Sequence, residues 1–168
     1  FDSTVTGLTV LDSPEIRSSV FPSQYGYGAL VQESINIHTI NAQKKIDQIE
    51  NRFLEYCREH NVIVSEIEEE GIPADLILEA ATLFDLMVVG LRTFFHFETR
   101  KGDGELLTKI LGRTSTPILA VPARPKPLKK VLIAYDGSPA SARAVRDFTL
   151  LAQPFDMEVD LFLSDNNR

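Results

Sequence analysis

A carboxylate, a glycine and a hydroxyl stand in a row at Asp136-Gly137-Ser138, directly after the apolar run Val131 to Tyr135 and directly before Pro139. An apolar run, a tight polar turn and a helical stretch, Ala140 to Leu151, read as the opening of a parallel α/β unit. In such a unit the turn lies at the carboxyl edge of the sheet, where ligands bind. The same three residues also have a plainer job. Ser138 is a good helix N-cap and Pro139 suits the first helical position, so capping is expected whether or not a ligand is held.

The other residues with chemical potential are scattered. His38, His60 and His96 show no metal-ligand spacing and are expected at the surface or at helix ends. Cys57 falls on an apolar helix face and is expected to pack, not to attack. Asp12, Asp85 and Asp136 suggest a phosphoacceptor cluster, but no acidic pair follows the Val131 strand. Ser138 has no evident base to activate it. The run Glu68 to Glu70 is expected to be a solvated strand end.

These residues must be positioned by alternating strands and helices. Thr4 to Leu11 is rich in β-branched residues and stops at Asp12-Ser13-Pro14. Residues 13 to 29 are expected to form a loop with a helical turn. From about Gln32 to His60 the pattern is helical, with Ile46, Ile49, Phe53, Tyr56 and Cys57 on one face and Asn61 as the stop. Val62 to Ile67 reads as a strand, and Ala74 to Leu83 as a helix with Ile77, Ala80, Ala81 and Phe84 inward. Asp85 to Gly90 is a near-continuous apolar strand of the kind buried on both faces of a parallel sheet. A loop over 91 to 103 carries Arg92, His96, Arg100 and Lys101. A helix follows at Glu105 to Leu111, then a strand at Pro117 to Val121 and a proline-rich linker. The alternation argues a doubly wound parallel sheet.

Bulk properties narrow the function. The 168 residues allow one good core, or one domain and a fragment. A net charge of -7 favours neither nucleic acid nor an anionic membrane. No apolar run approaches the roughly 18 residues of a membrane helix, and no signal peptide is visible at Phe1 to Leu11. The single cysteine fits a reducing compartment, most simply the cytoplasm. A start at Phe1 suggests a processed or excised segment.

In order and chemistry these pieces resemble the universal stress protein family. Val131 to Val145 is similar to that family's first strand, Asp-Gly-Ser turn and first helix. Asp85 to Gly90 resembles its fourth strand. Gly104 to Val121 resembles its last helix and fifth strand, with Thr116-Pro117 where Cys-Pro is usual. The resemblance implies a five-stranded, doubly wound, adenine-nucleotide-hydrolase-like fold, and it puts the pieces out of register. Thr4 to Leu11 becomes strand two of a first copy that lacks its first strand and helix. Leu128 to Leu151 and Phe155 to Leu163 become strand one, helix one and strand two of a second copy. Phe1-Asp2 and Val5 recur as Phe155-Asp156 and Val159, 154 residues on from Phe1 to Phe155. The expected division is a first module over 1–121, a linker over 122–130 and a partial second repeat over 131–168. A missing central strand leaves backbone groups unpaired. The Val131 strand and its helix are therefore expected to complete the first sheet, from the same chain or swapped. The linker from Pro122 to Lys130 could reach roughly 30 Å; a partner chain supplying the strand is the alternative.

The resemblance also implies a site. Family members contact adenosine at the position of Asp136, with Gly137 and Ser138 beside it. They hold phosphates on a glycine loop after strand four, here Val89 and Gly90, and at the start of the next helix. The family spacing is Gly, two residues, Gly, nine residues, then Gly-Ser or Gly-Thr. This chain has Thr93 for the second Gly, an interval one residue longer, and Glu105 after Gly104. A Cβ at Thr93 crowds the loop. Glu105 would stand where the anion binds, and at roughly 4 Å and an effective dielectric near 20 that repulsion is about 4 kcal/mol. Arg92, Arg100 and Lys101 could offset part of it or simply be solvated.

The expectation is a stress-response protein that binds ATP or AMP weakly in a degraded site and does not turn it over. The alternative is an interaction module. The fifth strand, Ile118 to Val121, is an apolar edge that homo-oligomers of this family cover by pairing. An enzyme of the related nucleotide-hydrolase group is the third class, though no residue here supplies its base or nucleophile.

Overall fold

A computed structural model of the chain describes residues 3–20, 28–90, 105–124 and 127–164, with Glu105 described in its backbone alone. Eleven elements are found among them. They are β1 (Thr4–Leu11), α1 (Ser13–Ser19), α2 (Gly28–Glu59), β2 (Ile63–Glu70), α3 (Pro73–Ala81), β3 (Met87–Gly90), α4 (Glu105–Leu111), β4 (Ile118–Val121), β5 (Lys130–Tyr135), α5 (Pro139–Ala152) and β6 (Glu158–Leu163). The architecture is α/β and every strand pair is parallel.

β1 serves both faces of its sheet, as the two-residue period of a strand requires. On one face Gly7 lies against the Phe53 ring, where an added Cβ would sit 2.8 Å from Phe53 Cε1. On that face Thr9 donates to Glu50 at 2.5 Å, and Leu11 joins Ile16, Ala42 and Ile46 in one cluster. On the other face Val10 packs with Ile77 and Ile110, flanked by Leu8, Met87, Leu106 and Ile118. Helices α1 and α2 therefore cover one side and α3 and α4 the other. Helices thus lie on both sides of β1, as they would in a doubly wound sheet.

Local signals set the element ends. Asp12 caps α1, its carboxylate accepting from the Glu15 amide at 3.0 Å, with Pro14 in the first turn. The stretch read as a loop is thus partly helical, and α2 already starts at Gly28. At the other end of α2, Asn61 takes φ +54. The Val62 amide then donates back to the Cys57 carbonyl at 2.9 Å, and asparagine tolerates that left-handed turn. Glu68 to Glu70 belong to β2, paired with Thr9 to Leu11. All three are exposed at the end of β2, the solvated strand end that the acidic run predicts. Thr116, at the family's cysteine position, donates its hydroxyl to the Ala81 carbonyl at 2.7 Å and ties the turn before β4 to the end of α3.

Among the described residues no five-stranded sheet is formed. The strands make three separate two-stranded ladders, β1–β2, β3–β4 and β5–β6. β5 pairs with β6 from Lys130↔Glu158 to Tyr135↔Leu163, and not with β1 or β3. Completion of the first sheet by the chain's own β5 is thus overturned. The reason is proximity: β6 is one helix away from β5, while β1 is at the far end of the chain, and closing the shorter loop costs less entropy.

Several apolar side chains of these elements are exposed. Val88 is 58% exposed, not sandwiched as a central strand would be, and Phe84 turns outward at 38%. Ile49 and Tyr56 lie on the apolar stripe of α2 and are 52% and 63% exposed. No residue of α5 is buried, and all six of β6 are exposed.

Candidate functional site

The sharpest local geometry is the turn after β5. Gly137 takes φ +78, a conformation that a Cβ would strain. The Asp136 carboxylate accepts from the Ser138 amide at 3.0 Å. Ser138 caps α5 by accepting from the Ser141 amide at 3.1 Å, and the Ser141 hydroxyl donates to the Ser138 carbonyl at 3.0 Å. Pro139 begins the helix. The sequence calls for this turn because only glycine fits the middle position and serine prefers the cap.

The electrostatic consequence is specific. The Ser138 hydroxyl, then the Ser141 hydroxyl and the Ser138 amide, gather about Asp136 and lower its carboxyl from 3.8 to about 2. The group is an ionised, exposed acceptor. It suits neutral donors such as a ribose hydroxyl or an amine, and it repels phosphate. With so low a pKa it is a poor general base near neutrality.

The second half of the expected site is described only in part. Val89 and Gly90 end β3, in register with Ala120 and Val121. Glu105 opens the seven-residue α4. Thr93 and Gly104, with Arg92, His96, Arg100 and Lys101, lie outside the described residues. Because β5 pairs with β6, no sheet joins the Asp136 turn to the Gly90 end within one chain.

The remaining candidates do not converge. Asp12 caps α1 at the carboxyl end of β1, whereas Asp85 precedes β3 at its amino end, so the three aspartates make no cluster. His60 stacks on Tyr56 with ring centroids 4.1 Å apart, and its Nδ1 lies 2.8 Å from the Tyr56 carbonyl. Cys57 is buried on the inner side of α2. Among the described residues no group of three or more His, Cys, Asp or Glu could hold a metal, and no helix is long and apolar enough to cross a membrane.

The sequence reading missed Lys130, which bridges Glu158 at 2.8 Å and Asp160 at 3.0 Å across the β5–β6 ladder. Both carboxylates raise its pKa above 10.5, Glu158 more than Asp160. Their i, i+2 spacing on β6 was the available signal.

No protein-family model matches the chain, and no curated protein does. It is similar to several solved structures, two among them being these. One is a hypothetical protein, MJ0577, whose biochemical function was assigned from its structure: 20% identity, TM-score 0.48, 74% of this chain and 78% of that one. The other is universal stress protein UspA from Lactobacillus plantarum: 18% identity, TM-score 0.43, 71% and 78%.

Proposed function

We propose that this is a universal-stress-type module that acts in a stress response by binding and association, without turnover. It comprises a first repeat over 1–121, a linker over 122–130 and part of a second repeat over 131–168. The lone Cys57 supports a cytoplasmic setting. The observation that carries the binding reading is the preformed Asp136-Gly137-Ser138 turn, with an ionised carboxylate open to solvent at a strand's carboxyl end. Its ligand is the nucleoside part of an adenine nucleotide, ATP or AMP. Gly90, Thr93, Gly104 and Glu105 make the weak phosphate side. Hydrolysis is not proposed, since Asp136 has the wrong pKa for a base and Ser138 has no evident base to activate it.

Mass spectrometry of freshly purified, denatured protein tests this. Adenine nucleotide should be recovered, and Asp136→Ala should lower the recovered amount about tenfold, the worth of one hydrogen bond to a charged group. Equal recovery from both proteins, or none from either at millimolar nucleotide, refutes it.

A second reading, a pure interaction module, is favoured by β4. Among the described residues it pairs with β3 alone, and Leu119 is 43% exposed. An oligomer joined through Ile118–Val121 and free of nucleotide would support that reading.

A further inference from the structure

We infer that the outer face of the first half of α2 is an interface with a second copy of this chain, the two helices meeting antiparallel about a two-fold axis. The inner face of α2 is fixed by Ile35, Ala42 and Ile46, which pack with Leu11 and Ile16. Ile37 lies two and a half turns before Ile46 at about 3.6 residues per turn, so it points directly away from that cluster. Leu30 and Ile40 share the outer stripe, and all three are more than half exposed. One helix thus carries two apolar stripes, and packing within the chain accounts for only the inner one.

The outer stripe is short and bordered by opposite charges. Glu33 stands about one turn before Ile37, and Lys44 about one turn after Ile40. Both are exposed. Beyond Lys44 the stripe turns polar through Gln48, Asn51 and Glu55. A lipid surface wants a long apolar face edged by cations, which this is not. The pattern fits its own copy.

In a two-fold contact, a residue that meets a second is met by that second in return. With the axis between Ile37 and Ile40 and the helices antiparallel, each Ile37 faces the partner's Ile40. Four isoleucines then form one apolar centre. The same register sets each Glu33 opposite the partner's Lys44, an ion pair made twice. Leu30 falls at the rim, where the partner's Lys44 lays its aliphatic stem. Parallel helices would instead set Glu33 on Glu33 and Lys44 on Lys44, so charge selects the antiparallel pair.

The apolar centre supplies the attraction, and the exposed ion pairs supply orientation more than affinity. This face lies on the α2 side of β1, whereas Ile118 of β4 packs on the α3 and α4 side. The contact is therefore distinct from the β4 edge, and it does not depend on what the Asp136 turn binds.

Charge exchange in the full chain tests it, by sedimentation across concentration with helix content checked by circular dichroism. Wild type should form a dimer. Glu33→Lys and Lys44→Glu should each weaken it about tenfold, because each sets like charges together at both ends of the contact. The double variant should regain the dimer. An equal mixture of the two single variants should regain it too, a rescue that a folding defect cannot mimic. Three outcomes overturn the inference. They are a monomer at every concentration, a dimer indifferent to either single exchange (one joined through β4 included), and a loss that the mixture or the double variant fails to reverse.

Discussion

Asp136 is the residue on which the binding proposal turns, and its titration is a direct check. Its folded pKa of about 2 lies below the ordinary 3.8. The stability it contributes is therefore present above 3.8 and lost as pH falls through about 2. Carboxyl NMR should show the low value, and Asp136→Asn should flatten the acid side of the denaturation curve over that window. An Asp136 that titrates near 3.8 would dissolve the cluster of donors around it. Gly137→Ala should cost about 1 kcal/mol in urea unfolding of the β5–β6 unit, because alanine resists φ +78. This turn was legible from sequence, since Gly, Ser and Pro each have one suitable place in it. The phosphate half was legible only as departures from a family pattern, because which loop residues face a ligand is set by tertiary position.

At the scale of elements, the helices owe their order to a few buried contacts. Ile46 is fully buried between Leu11 and Ala42, so Ile46→Ala should destabilise by about 2–5 kcal/mol in denaturant titration. A value below 1 kcal/mol would mean that α2 does not pack on β1 as described. Asp12→Ala should cost about 1 kcal/mol through loss of the α1 cap. Strand β1 and helix α4 could be bounded from sequence because their ends carry turn residues or glycine. α1 could not, because Ser and Pro after an Asp read equally as a turn or as a capped helix start. The inward placement of Phe84 failed for another reason, which also leaves Ile49 and Tyr56 exposed on the apolar face of α2. Periodicity identifies an apolar face but not whether a neighbour arrives to cover it.

For the molecule as a whole, the alternating pattern specified parallel α/β units, and it misplaced one strand. β5 was expected beside β1 and β3, and it pairs with β6 instead. Pattern alone does not choose a strand's partner, and chain connectivity chose the nearer one.

Amide hydrogen exchange followed by mass spectrometry reads the strand pairing most directly. The account predicts that β5 (Lys130–Tyr135) and β6 (Glu158–Leu163) are protected together, as partners in one ladder. A β5 that stays protected while β6 exchanges freely would contradict it, because β5 would then have another partner.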